Sequence, residues 1–133
     1  MSQETSEAAQ AVLEALGRRD AAGLIALSDP QVEWHSFFAI GQEGGVYCGY
    51  AGASQFMSDL GDAWDIARAE VDDSIEVGDL VVLAGRIHYR GRGGGVESEM
   101  PAGWMLKFRQ GRLILFRAFR EPERAFESVG LSG

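Results

Sequence analysis

A chain of 133 residues, 46% hydrophobic and 24% charged, has the size and composition of one ordinary globular domain with a core of its own. No apolar run approaches the roughly 20 residues of a membrane-spanning helix, and a net charge of −8 opposes a phosphate backbone, so neither a membrane nor a nucleic-acid partner is expected. The single cysteine, Cys48, excludes an internal disulfide and a cysteine metal cage, and the polar, acidic start "MSQETSEAAQ" is unlike a secretory or transit signal, which implies a cytoplasmic protein.

Ala9, Val12, Leu13 and Leu16 recur on one helical face and predict a helix over 6–18, with Thr5 or Ser6 as its cap. Asp20 can cap a second short helix, whose Leu24, Ile25 and Leu27 face inward and which Pro30 ends. Alternation then predicts a strand from Val32 to Ala39, with Val32 and Trp34 on one side and Glu33 and His35 on the other. "GQEGG" (41–45) is a turn or loop and "VYCGY" a short extended piece. Phe56, Met57, Leu60 and Trp64 mark a third amphipathic helix in "AGASQFMSDLGDAW". The rest is extended: 66–77, 80–90, 96–109 and 113–120, joined at "VGD", "GRGGG" and "RQGR". Pro122 opens a last short helix with Ala125, Phe126 and Val129 inward, and Gly130 stands at its end. Helices followed by an antiparallel meander, without repeat or linker, read as a single α+β domain over 1–133.

Three-quarters of the acids lie in 1–79 and three-quarters of the bases in 80–133. Those bases alternate with apolar residues, the pattern of solvated strand faces rather than of a nucleic-acid patch. "GRGGG" lacks the spacing and following residues of a phosphate loop, and no G-x-S-x-G is present. His35 and His88 are the only histidines; neither has a second His or Cys at ligand spacing, so no metal site is expected. Cys48, with no adjacent base, reads as a small buried thiol. His88 shares a strand face with Arg86 and Arg90, and is either half-exposed or a proton shuttle in a pocket. Glu97 and Glu99 share a face, as an acid–base pair or as solvated acids. Arg117 and Arg120 fall on opposite faces of the last strand, so one of them is expected to point to the interior layer or an interface and to need an anionic partner. Trp34, Tyr47, Phe56, Trp64, Trp104, Phe116 and Phe119 come from nearly every element and must cluster, as a core or as a deep apolar pocket.

The order of "VLEALGRRDAAGLIALSDPQVEWHS", "GGVYCGYAGASQFMSDL", "VGDLVVLAGRIHYRGRGGGVESE" and "KFRQGRLILFRAFREPERAFESVGL" resembles the SnoaL-like family of the nuclear transport factor 2-like superfamily, over about residues 8–131. The resemblance implies a cone: a curved antiparallel sheet wrapped on the N-terminal helices, a pocket within, and usually a homodimer across the outer sheet face. The superfamily holds polyketide cyclases, ketosteroid isomerases, dehydratases, epoxide hydrolases and non-catalytic binders, so fold does not carry chemistry. Carried over residue by residue, the isomerase's Tyr and two Asp positions fall on Val12, Trp34 and Trp104, all apolar, and that mechanism is not expected. Nor is the Asp-Arg-Asp set of the epoxide hydrolases evident, since no Asp follows Asp79. The same alignment turns Trp34, Trp104, Phe116, Ala118 and Arg120 toward the cavity and Glu33 and His35 outward.

The expectation is therefore a cofactor-free protein that binds a hydrophobic small molecule among Trp34, Tyr47, Phe56, Trp64, Trp104 and Phe116. Two readings stay open. One is a cyclase or isomerase of a carbonyl compound, with Arg120 polarising an oxygen and His88 or Glu99 moving the proton. The other is a non-catalytic ligand-binding or assembly module.

Overall fold

The apolar stripe of the first helix becomes its buried face. In the computed structural model, which describes residues 2–35 and 46–130, α1 (Ser2–Gly17) buries Ala9, Val12, Leu13, Ala15 and Leu16. The helix begins ahead of Ser6, whose N–H (2.9 Å) and hydroxyl both donate to the Glu76 carboxylate. In α2 (Ala21–Ala26) the Asp20 carboxylate accepts from the Gly23 N–H at 2.9 Å, the capping bond its position implies.

Strand β1 (Ser28–His35) starts before Pro30 rather than after it. Pro30 falls between Ser28 and Glu33, where the register with the neighbouring strand shifts, so its missing N–H meets a break in the ladder. Residues 36–39 of the expected strand and the "GQEGG" loop lie outside the described residues. In β2 (Val46–Cys48) Tyr47 takes the inward position, which leaves Cys48 exposed and not the buried thiol expected. Helix α3 (Gly49–Ala63) buries Ala53, Phe56, Met57 and Leu60; Trp64 opens the following strand instead of closing the helix. Strands β3 (Trp64–Val77), β4 (Leu80–Gly91), β5 (Ser98–Arg109) and β6 (Arg112–Phe119) follow, then α4 (Pro122–Glu127).

The architecture is mixed α+β, a curved open sheet of six strands with four helices among the described residues. Strand order is β2-β1-β6-β5-β4-β3. All pairs are antiparallel except β1 with β6, which run parallel, a pairing absent from the expected meander. Alternation along β4 and β5 assigns the faces. Val81, Leu83, Trp104 and Leu106 join the core under α1 and α3, whereas Val82 and Met105 pack on Ala125 of α4 across the sheet. Two glycines make this packing possible. A Cβ on Gly103 would stand 2.8 Å from Pro122 Cα, so α4 rests directly on β5. A Cβ on Gly85 would stand 2.0 Å from the Glu70 carbonyl oxygen, opposite the bulge between Val71 and Asp73. A bulge bends the strand that carries it, and Gly85 gives the bent β3 backbone room against β4. No helix among the described residues is long and apolar enough to cross a membrane.

Candidate functional site

The helices and the concave sheet face do not close completely on one another. Leu13, Leu16 and Gly17 of α1, at helical spacing, and Phe56 and Leu60 of α3 form one wall of a cavity of about 50 Å³. Ala67 and Ala69 of β3, Ile87 of β4, Trp104 of β5, and Phe116 and Ala118 of β6 form the other. Each sheet residue occupies an inward position, and the small Ala side chains leave the space. Among the described residues Arg68 alone of the ionisable residues touches its border, and it does so from the strand backbone: its register partner is the outward-facing His88, and its guanidinium lies 3.5 Å from the Glu97 carboxylate. The volume suffices for a few waters at roughly 10–15 Å³ each. A second, outer hollow of about 300 Å³ adjoins it, sharing Leu13, Gly17, Arg68 and Ala69 and adding Gln10, Glu14 and Arg18. The site thus has an apolar inner end and a polar rim.

An aromatic stack backs the inner end. The rings of Trp34 and Phe56 are stacked at 5.5 Å, Trp34 and Phe116 are tilted at 5.3 Å, and Tyr47 meets Phe56 at 5.3 Å. Of the six aromatics expected to line a pocket, Phe56, Trp104 and Phe116 border the cavity. Trp34 and Tyr47 lie behind Phe56, and Trp64 packs edge-on against Tyr89 at 5.3 Å. Tyr47 keeps its polar tip satisfied: its hydroxyl donates to Asp59 Oδ2 at 2.6 Å, and Gln55 donates to the other carboxylate oxygen. Burial, then the bond to Asp59 and its charge, push the Tyr47 hydroxyl far above the usual tyrosine range, so it stays neutral. Trp34 differs. Its side chain is 0% exposed, yet its Nε1 has no hydrogen-bond partner among the described residues. Such a buried, unmade bond costs about 1–3 kcal/mol.

His88 and Glu99 are cross-strand partners, but on the other face of the sheet from Ile87 and the cavity. His88 Nε2 lies 2.6 Å from Glu70 Oε1. Arg86 donates to Glu70 at 2.9 Å, to Asp72 at 3.2 Å and to Glu99 at 3.2 Å. The His88 bond, then Arg86, hold the Glu70 carboxyl below its usual range; Asp72, then Glu70, raise Arg86. Glu33 and His35, 3.2 Å apart, also point away from the core. Arg120 is exposed in the bend after β6 and does not border either hollow. The strand ends at Phe119, which removes the reason to turn one of the two arginines inward: Arg117 is half-buried, with its guanidinium 5.0 Å from the Phe119 ring. Among the described residues no group of three or more His, Cys, Asp or Glu stands where it could hold a metal ion.

Leu13, Leu16, Leu60, Ala67, Arg68, Ala69 and Ile87 were not marked as ligand-contacting by the sequence. Leu13, Leu16 and Leu60 carried a signal, the inward helical stripe, but that stripe looks the same whether it closes a core or borders a void.

The SnoaL-like domain family matches residues 9–116. No curated protein matches the sequence. Among solved structures, a nuclear transport factor 2-like protein of unknown function from Burkholderia pseudomallei is 21% identical, covers 98% of this chain and 99% of its own, and superposes with a TM-score of 0.78. TerC, co-crystallised with polyporic acid, is 24% identical over 94% of this chain and 96% of its own, with a TM-score of 0.76. A putative SnoaL-like polyketide cyclase from Shewanella denitrificans is 19% identical over 86% and 88%, with a TM-score of 0.72. At these identities the likeness is one of fold.

Proposed function

The chain belongs to the SnoaL-like domain family, and from that premise we propose that it binds a hydrophobic small molecule, its apolar part between α1, α3 and the concave sheet face and its polar end at the rim. The carrying observation is the cavity's lining among the described residues: Leu, Ile, Ala, Phe and Trp side chains, with the Arg68 guanidinium turned to Glu97. That is the composition of a small-molecule site. The co-crystal of TerC with polyporic acid supports the class of ligand. Binding is favoured over a cyclase or isomerase. Proton transfer at a carbonyl needs a titrating group within hydrogen-bond reach; among the described residues the inner end has no Asp, Glu or His, and Glu14 lines only the outer hollow. His88 and Glu99 are engaged on the outer face. The homodimer belongs to the same proposal. The outer ladder carries both signs of charge, as a self-complementary surface does, and sedimentation at the monomer mass would remove this part.

The test is fluorescence titration with N-phenylnaphthylamine, an uncharged apolar probe. Saturable binding is expected, and it should be lost in Ala69→Phe and Ala118→Phe, whose new rings fill the cavity, provided circular dichroism shows both variants folded. An absence of saturable binding, or undiminished binding in both variants, overturns the assignment.

A further inference from the structure

We propose that the indole N–H of Trp34 is the hydrogen-bond donor that recognises the ligand, and that the ligand is therefore an apolar ring compound carrying a neutral acceptor such as a carbonyl oxygen. This rests on reading the cavity as a ligand site.

The first step is elimination. Nearly all buried donors in folded proteins are satisfied, so an orphan calls for a reason. Ser28, also fully buried, donates to the Leu24 carbonyl at 2.8 Å, and the Tyr47 hydroxyl is held by Asp59. The other orphaned buried atoms among the described residues belong to charged side chains that are otherwise engaged: Glu76 accepts from Ser6 through its second oxygen, Arg86 donates through its terminal nitrogens, and Arg90 Nε lies 3.9 Å from the Asp65 carboxylate. Trp34 Nε1 is the side chain's single polar atom, and among the described residues it has no other outlet.

Location is the second step. Trp34 touches Phe56 and Phe116, and both rings form the cavity wall. The indole thus lies one ring behind the cavity. A void of about 50 Å³ is smaller than the roughly 300–1,000 Å³ of typical ligand pockets. Entry of a ring compound must displace wall side chains, and displacing Phe56 or Phe116 uncovers Trp34. Chemistry supplies the third step. An indole N–H only donates, so the ligand atom must accept. A carboxylate would lose its hydration among Phe, Leu and Ala, where the one cation of the described lining, Arg68, is already paired with Glu97, and one N–H does not offset that loss. A neutral carbonyl loses far less.

Indanone and indane share a ring frame and differ in that oxygen. Their affinities are read by displacement of N-phenylnaphthylamine, from wild type and from Trp34→Phe. Trp34→Phe should weaken indanone by roughly fivefold to tenfold relative to indane. In isotope-labelled wild type, the Trp34 indole N–H resonance should move with indanone and not with indane, which tests the bond without any variant. If the variant weakens both compounds equally and the resonance does not distinguish them, the N–H faces an aromatic ring and the inference is overturned while the ligand site stands. If neither indane nor the fluorescent probe binds wild type, the ligand site itself fails, and the inference with it.

Discussion

Gly85→Ala tests the bend that shapes the cavity. The added Cβ would lie 2.0 Å from the Glu70 carbonyl oxygen and 2.9 Å from Val71 Cα. Both atoms are backbone, so no side chain can rotate away. Bringing the closer contact to the 3.0 Å that real Cβ atoms keep requires β3 to retreat by about 1 Å. Overpacking of this kind costs about 1–3 kcal/mol, and a backbone obstacle puts it at the upper end. The lower entropy of an unfolded Ala offsets roughly 0.4–1 kcal/mol of that. The net is a loss of about 2 kcal/mol, a fall in Tm of roughly 6–8 °C for a domain of this size. Gly91→Ala is the control: its Cβ would meet nothing within 4 Å and its backbone is not left-handed, so its melting point should stay within roughly 2 °C of wild type. Ala69 and Ile87 of the cavity wall pair two positions from Val71 and Gly85, so probe affinity should fall as well. Calorimetric melting reads the outcome. If Gly85→Ala melts with Gly91→Ala, the bend does not depend on this close approach.

Tyr47→Phe removes the 2.6 Å bond to Asp59 and should cost about 1–2 kcal/mol in urea unfolding, discounted for a partly solvated carboxylate. In an alkaline absorbance titration, the last of the wild type's three tyrosines to ionise should be the one missing from Tyr47→Phe; an unchanged late step would contradict the assigned burial and bond. Glu70 has a folded pKa depressed from 4.5, so its contribution is present above that value and is lost as pH falls through the folded pKa. Urea midpoints taken down through the carboxylate range should therefore decline less steeply in Glu70→Gln than in wild type, and parallel slopes would refute a role for the His88 and Arg86 contacts in acid stability.

Local pattern carries far here and then stops at pairing. The helical stripes of α1 and α3, the Asp20 cap and the three late hairpins follow from periodicity and turn residues that act over a few positions. The parallel β1–β6 pair does not, because Trp34 and Phe116 are brought together by the closure of the whole chain. The same limit governs the site. Phe56, Trp104, Phe116 and Ala118 are inward by alternation or helical spacing, but whether inward means packed or cavity-lining depends on the volume opposite. His88 and Glu99 lie on β4 and β5, as alternation implies. Their shared outer face follows from a cross-strand register that no local pattern contains. Arg120 turned on a single residue: with β6 ending at Phe119, the alternation no longer applies to it.

The division between the two sheet faces constrains what the cavity can do. Along β4, Leu83 and Ile87 face the core while Arg86 and His88 face outward into the ladder with Glu70 and Glu99. A slip of one residue would exchange the sets, carrying charge into the cavity and apolar side chains to solvent. The bulge opposite Gly85 opposes such a slip, because a one-residue shift would bring Ala84 or Arg86, each with a Cβ, against the Glu70 carbonyl that Gly85 clears. The charged ladder is thereby kept from the cavity by the same geometry that bends its wall. Selectivity at the inner end must then come from shape and from buried polar atoms not already engaged. Ser28 and Tyr47 are engaged. Among the described residues the indole N–H of Trp34 is not, and it stands on the strand whose pairing with β6 places it behind Phe116.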